Sequence, residues 1–459
     1  MSKFAMPLKI YFSTFAVINL IIFILVGFRS LKLRPISDDY CFAARAVPGT
    51  FSALSDWYLT WSGDLFSILL STVFIGSSIL HLPWSISSSI PFLVSGSLIG
   101  ILIYPFFNRS IIKSRKSLLF LFIFLSVLVA NAWWSQWWIS SLLNYSDTAL
   151  VLQNSITFWQ TINVAYVMVL IINLVLFFSL EYVSDRYSRL VSVIYGALLG
   201  LSGMVYASSI VLLSMLRMTS YCVSRKKISV RLLKIYGLYT FTALLFLGFS
   251  FFSPGTQARK SILEESPQLE VFNLISLYYW TFPAAANSWF SSFFNLGSFF
   301  SFIIFLCLGF ISVNFFGVDI KFRYTYLIFL LFTLSIIMTV ISRISEAFAY
   351  QAFWHLIPIH LLRFLVIASL SLCLGAVLAR KYQNNILTIS IILVATAAQI
   401  LQVYSIYLMG ERIEQRYKIW SKGSAPLHGI EDLSLTSTKG TYNMCWDRIG
   451  DFRPLPKRN

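Results

Sequence analysis

The sequence predicts an all-α membrane protein, a polytopic helical bundle of about eleven transmembrane helices with juxtamembrane helices on its outer face. Three observations predict it. Of 459 residues, 58% are hydrophobic and 12% charged, with a mean hydropathy of +0.76, whereas about a quarter of the residues in a soluble domain are charged. The apolar runs are long enough to cross ~30 Å of hydrocarbon as helices, and they lack the two-residue alternation of an outer-membrane barrel. The basic residues fall largely in short loops between these runs, so the formal charge of +17 follows from the positive-inside rule and implies no nucleic-acid partner.

The first apolar run, residues 10–28, follows Lys3 and Lys9 and has no small-residue cleavage site. It is expected as an uncleaved span with a cytoplasmic N-terminus. The first outer loop, residues 29–83, carries Asp38-Asp39-Tyr40-Cys41 and an aromatic segment from Asp56-Trp57-Tyr58 to Trp61-Ser62-Gly63-Asp64. Residues 65–80 are expected as a juxtamembrane helix on the outer leaflet. Counting them as a span would place the basic loop of Arg109, Lys113, Arg115 and Lys116, which follows the span 84–107, on the outside. Their hydroxyls, Ser67, Ser71, Thr72, Ser77 and Ser78, fit a segment packed against protein.

Spans 118–134 and 156–180 come next, joined by an outer loop with Trp133, Trp134, Trp137 and Trp138. Between Arg189 and the cluster from Arg217 to Lys234 both ends are basic, so two short helices are expected, turning near Gly200-Leu201-Ser202-Gly203. The span 235–252 leads to a second large outer loop, 253–295, and spans 296–316, 324–342, 356–379 and 386–408 complete a core of residues 1–408. The remaining segment, 409–459, is expected outside. No internal repeat, low-complexity tract or Gly-rich phosphate loop is evident.

Five cysteines without a CxxC pair, and four histidines, give no reason to expect a zinc site. Cys41 and Cys445 fall on the expected outer face and are the pair that a disulfide there would join. All thirteen tryptophans also fall on the outer side or at an outer helix end. An anchoring belt would populate both interfaces, so the asymmetry points to an outer cavity with aromatic walls; a lipid preference of one interface is the alternative.

The outer face thus gathers carboxylates (Asp38, Asp39, Asp56, Asp64), cations close to the membrane (Arg259, Lys260, Arg343, Arg363) and aromatic rings. Neighbouring carboxylates raise one another's affinity for a proton, which suits one of the Asp38-Asp39 pair to general-base work near neutrality; otherwise the pair is a solvated turn or a cap for the residues after Tyr40. Cations at headgroup depth suit a phosphate. Arg363 lies within an apolar stretch, where an unpaired charge costs about 2.5–3.5 kcal/mol on insertion scales unless it snorkels or binds something. Together these groups suit transfer of a sugar from a lipid-phosphate carrier to an acceptor arriving from outside.

A membrane helix followed by Asp38-Asp39-Tyr40, then Trp61-Ser62-Gly63-Asp64 opening a juxtamembrane helix, resembles the type C (GT-C) membrane glycosyltransferases, in particular the bacterial branch with the serotype-converting O-antigen glucosyltransferases. Ser253-Pro254-Gly255-Thr256-Gln257-Ala258-Arg259 is similar to that branch's Pro-Gly-Asn-x-x-Arg-like loop, with Thr256 where Asn is usual. Trp159 to Tyr166 resembles its Trp-x-x-Gly-Ser-x-Asn-Tyr-like segment, without the glycine and with the tyrosine displaced; Asp64 stands where many relatives carry Arg.

The resemblance implies inverting transfer of glucose or another hexose from an undecaprenyl-phosphate-linked donor. The acceptor would be a cell-surface glycan such as O-antigen lipopolysaccharide, on the periplasmic side of the bacterial inner membrane. Asp38 or Asp39 would be the base, and Arg259, Lys260 and Arg363 would hold the donor phosphate. Tyr40, Trp57, Trp61, Asp64, Trp159 and Asn163 would bind sugar or acceptor. Neither metal nor cofactor is expected; a flippase and a donor-synthesising transferase would be partners. The competing classes are a flippase or transporter of lipid-linked saccharides, which would carry midplane charges and matched half-repeats, and a polymerase of glycan repeat units.

Overall fold

The computed structural model describes residues 45–60, 62–77, 84–103, 163–223, 230–257, 296–316, 323–347, 356–381 and 389–401, with single positions elsewhere. Among the described residues every regular element is helical and no strand occurs. Helix α1 (Thr50–Thr60) precedes α2 (Leu65–Ser71), which runs on into a π-helical turn (Thr72–Ser77), and α3 (Trp84–Ile103) follows. A second π-helical turn (Asn163–Met168) opens α4 (Val169–Ser179), which closes in a 3₁₀ turn (Leu180–Tyr182). Next come α5 (Asp185–Gly200), α6 (Met204–Val223), α7 (Val230–Phe251), α8 (Leu296–Phe316), α9 (Arg323–Ala347), α10 (Leu356–Lys381) and α11 (Ile389–Leu401).

Val164–Tyr182, Val230–Phe251 and Ile359–Lys381 are long and apolar enough to cross a membrane, and the chain is a helical membrane protein on that ground. Shorter apolar helices stand at Leu65–Gly76, Leu93–Leu102, Met204–Ser220, Ser298–Asn314, Ile328–Ser342 and Ile389–Leu401. The expected spans 10–28 and 118–134 lie largely outside the described residues, as do Cys41, Cys445 and the segment 409–459.

Between Arg189 and Arg217 the chain forms two helices, with the turn where the glycines stand. The Leu201 N–H donates to Ala197 O at 3.0 Å and the Ser202 N–H to Leu199 O at 3.0 Å, closing α5. Gly203 then takes φ +105°, a left-handed conformation that a Cβ would resist, and α6 starts at the next residue. In α2 and its π turn, Ser71 and Thr72 are fully buried, so these hydroxyls do face protein.

Small residues let the helices approach backbone to backbone. On α5, Ser188, Ser192, Gly196 and Gly200 recur every fourth position and form a buried stripe. A Cβ on Gly196 would lie 2.9 Å from Thr242 Cβ, and one on Gly200 would lie 2.6 Å from Phe246 Cβ, both on α7. Gly309 of α8 and Gly375 of α10 face the partner helix in the same way, against Leu372 O and Leu306 O respectively. Lipid tails are as apolar as the helices, so close packing rather than water exclusion must hold such pairs together.

At the end of the bundle where α4 gives way to α5, polar groups meet. Arg217 of α6 donates to Glu181 Oε1 from Nε (3.2 Å) and Nη2 (2.7 Å), and the Tyr236 hydroxyl of α7 donates to the same oxygen at 3.0 Å. Arg231 pairs with Asp185 and donates to Val183 O. Replacing Glu181 with Ala is expected to lower stability by about 1–3 kcal/mol, because a part-buried guanidinium loses its acceptor. The same change in an Arg217→Ala background should cost less, and a double-mutant cycle on unfolding midpoints in detergent measures the difference.

Candidate functional site

Asp38, Asp39, Tyr40, Trp61, Trp159, Arg259, Lys260 and the Asn163 side chain lie outside the described residues. Of the motif segments, Ser62-Gly63-Asp64 and Ser253 to Gln257 are described, and they meet.

Local chemistry builds each half. After α7 ends at Phe251, the Ser253 hydroxyl accepts the Thr256 N–H at 3.2 Å, Pro254 occupies the next position, and the Gln257 N–H donates to Ser253 O at 3.1 Å. A serine cap followed by proline is what a helical first turn favours. On the other half, the Asp64 N–H donates to Ser62 Oγ at 3.2 Å and the Leu65 N–H to Gly63 O at 2.8 Å, which bends the chain into α2.

Thr256 Oγ1 joins the halves. It accepts the Gly63 N–H at 3.0 Å and the Ser253 hydroxyl at 2.8 Å, and donates to Ser250 O at 3.1 Å. Gly63 has no room for a side chain, since a Cβ there would overlap Ser250 O and lie 2.6 Å from Ser253 Oγ. Asp64 makes no side-chain cap on α2; its Oδ1 accepts the Ser250 hydroxyl at 3.1 Å. The α5–α6 turn completes the joint, with Phe66 N–H donating to Leu201 O at 2.9 Å and Ser67 Oγ to Ser202 O at 3.1 Å. Asn173 of α4 anchors that turn from below, donating from Nδ2 to Ser202 Oγ at 2.8 Å.

Thr256→Val keeps the shape of this joint and removes its hydroxyl. The expected result is a stability loss of about 1–3 kcal/mol that Thr256→Ser largely restores, read as unfolding midpoints in detergent. A valine variant as stable as the parent would show that the joint contributes nothing.

Trp57 is packed on three sides. Expected as an aromatic face for sugar, it is 9% exposed, stacked on Phe42 with centroids 4.9 Å apart, and lies under the Arg45 guanidinium at 3.9 Å. Its ring belongs to a small core with Ile68, Ile75, Val164 and Met168 that fixes α1 and α2 on α3 and α4. Arg45 also pairs with Asp56 at 3.4 Å, which ties that carboxylate to α1's own packing. Tyr58 stacks on Phe249 at 5.3 Å and binds α1 to the end of α7.

The π-helical turn that Asn163 opens packs against α2, α3 and α10, linking the segment from Trp159 to the helix that carries Arg363. π turns recur at functional sites because they re-aim side chains. Arg363 is 1% exposed; its Nη2 donates to Thr339 Oγ1 of α9 at 3.3 Å. It does not snorkel to an interface, one of the two ways out that its position in the sequence left open.

No family model, curated protein or solved structure matches the chain. The site therefore stands on its own residues. Sequence reasoning passed over Asn173, Ser250, Thr339 and His360. Each is a polar residue inside an apolar or small-residue run, a signal that marks buried polar work without naming its partner.

Proposed function

We propose that the chain is an integral membrane glycosyltransferase that moves glucose or another hexose from a polyprenyl-phosphate donor to a cell-surface glycan, on the periplasmic side of a bacterial inner membrane. The observation that carries the proposal is the Gly63 N–H to Thr256 Oγ1 bond. It joins two segments 193 residues apart that were singled out separately for their resemblance to one enzyme family. An eleven-span bundle gives the sidedness this requires, with both segments outside.

In the reaction, Asp38 or Asp39 takes the proton of an acceptor hydroxyl as that oxygen attacks the anomeric carbon. The bond from that carbon to the carrier phosphate breaks, the phosphate leaves with the electron pair, and the configuration inverts. Arg259, Lys260 and Arg363 are the cations that meet the developing charge. Tyr40, Trp61, Asp64, Trp159 and Asn163 shape the sugar and acceptor side.

A second reading, transport of a lipid-linked saccharide, is favoured by one observation, the burial of Arg363 within a helix long enough to span. Composition and linkage analysis of surface glycan from cells with and without the gene separates the two. A residue or linkage present only with the gene supports transfer; loss of the whole glycan, with every linkage in the remainder unchanged, supports transport.

A further inference from the structure

The ends of α4, α5, α6 and α7 that meet where α4 gives way to α5 hold two carboxylates, Glu181 and Asp185, and five cations among the described residues. Both carboxylates are taken: Glu181 accepts from Arg217 and Tyr236, and Asp185 pairs with Arg231. Arg186, Arg189 and Lys234 are exposed and pair with no carboxylate among the described residues. The positive-inside rule explains why cations gather at this end. It does not explain why two are neutralised within the protein while three stand outward.

The three outward cations stand within one helical turn of each other along the bundle. Asp185 pairs with Arg231 at the start of α5 and α7, and farther along Gly196 lies against Tyr239 O and Gly200 against Ala243 O, so the two helices run side by side in the same direction. That register puts Arg189 level with Lys234. Arg186, three positions before Arg189, is its neighbour on the helix surface and lies over the Tyr187 ring, 5.4 Å from the centroid. One turn beyond the arginines, Leu190 and Val193 are exposed on α5, and two turns beyond Lys234, Phe241 is exposed on α7. α7 is the least buried of the three helices able to cross the membrane, so this apolar row faces hydrocarbon.

Cations at one level with apolar side chains directly beyond them match an amphiphile that has an anionic head and hydrocarbon chains. A soluble anion would use the cations alone, and a neutral lipid the apolar row alone. We propose that Arg186, Arg189 and Lys234 form a binding site for the phosphate headgroup of an anionic phospholipid, whose acyl chains lie along Leu190, Val193 and Phe241. The site stands at the opposite end of α5 from the turn that completes the Gly63–Thr256 joint, and it holds whichever reaction the chain performs. A lipid bridging α5 and α7 secures the pair, so stability depends on the charge of the lipid supplied.

The test uses the purified full-length chain in detergent and reads its unfolding midpoint while phosphatidylglycerol, or phosphatidylcholine with the same acyl chains, is titrated in. Phosphatidylglycerol is expected to raise the midpoint at concentrations at least about tenfold lower than phosphatidylcholine. Each cation near an anionic headgroup contributes about fivefold, so the triple variant Arg186→Gln, Arg189→Gln, Lys234→Gln should weaken the phosphatidylglycerol response about 10- to 100-fold. Arg380→Gln with Lys381→Gln, at the end of α10, is the control and should keep the parent response. Equal responses of the parent chain to the two lipids overturn the site, as does a parent-like response in the folded triple variant. Should the triple variant not fold, Arg189→Gln alone carries the test, and an unchanged response overturns the site. A control that loses as much as the triple variant makes the effect a general surface potential and also overturns it. Binding of polyglutamate to the parent chain without any response to phosphatidylglycerol replaces the lipid with an acidic protein segment and overturns the proposal.

Discussion

Replacing Asp38 with Asn, or Asp39 with Asn, is expected to abolish sugar transfer in one of the two cases while the protein still inserts and accumulates. Asparagine preserves size and hydrogen bonding but cannot take a proton, and a positioned general base contributes about 10²–10⁴-fold to a rate. The non-catalytic partner should give a milder loss, because it acts only through the charge beside the base. Surface-glycan analysis in cells expressing equal amounts of each variant distinguishes them. Parent-level transfer by the double substitution would remove the doublet from the chemistry and return it to a solvated turn.

Placing a methyl group on Gly375 should have the largest effect on folding. Its Cβ would overlap Leu306 O and lie 3.0 Å from Phe310 N, and both are backbone atoms of α8 that cannot rotate away. The opposing Gly309 has the same problem, with a Cβ 3.0 Å from Ala376 N. Either Gly→Ala change must push α8 and α10 apart, for an expected loss of about 2–3 kcal/mol, and leucine should cost more. Reduced yield of monodisperse protein and a lower unfolding midpoint are the readouts. Gly248 of α7 is the control: nothing lies within 4 Å of a Cβ built there, and Gly248→Ala should be neutral or slightly stabilising through helix propensity. Equal behaviour of Gly375→Ala and Gly248→Ala would discount close backbone packing as the source of the pair's stability.

Much of the fold was legible because its signals are local. Apolar run length marked the helices, and alternation of basic turns placed the two helices around Gly200-Leu201-Ser202-Gly203, where the structure has α5 and α6. The hydroxyls of residues 65–80 marked a protein-facing segment, and Ser71 and Thr72 are buried. Trp57's packing was not legible for a physical reason: an aromatic residue in an outer segment serves equally as a ligand platform or as the wedge that seats a helix, and its neighbours lie far off or unmarked in the sequence. Phe42 and Arg45 are those neighbours.

By itself the sequence determined that this is a helical membrane chain, and it marked which carboxylates, cations and motif segments have chemistry to offer. Run length, turn residues and capping act over one to four positions, so a linear reading captures them. Only the tertiary structure decided that Gly63 meets Thr256, that Asp64 turns to Ser250 instead of capping its helix, and that Arg363 sits between α9 and α10 with donors to spare. Such meetings depend on which backbones approach closely at Gly196, Gly200, Gly309 and Gly375, and helix packing across the whole chain sets that approach.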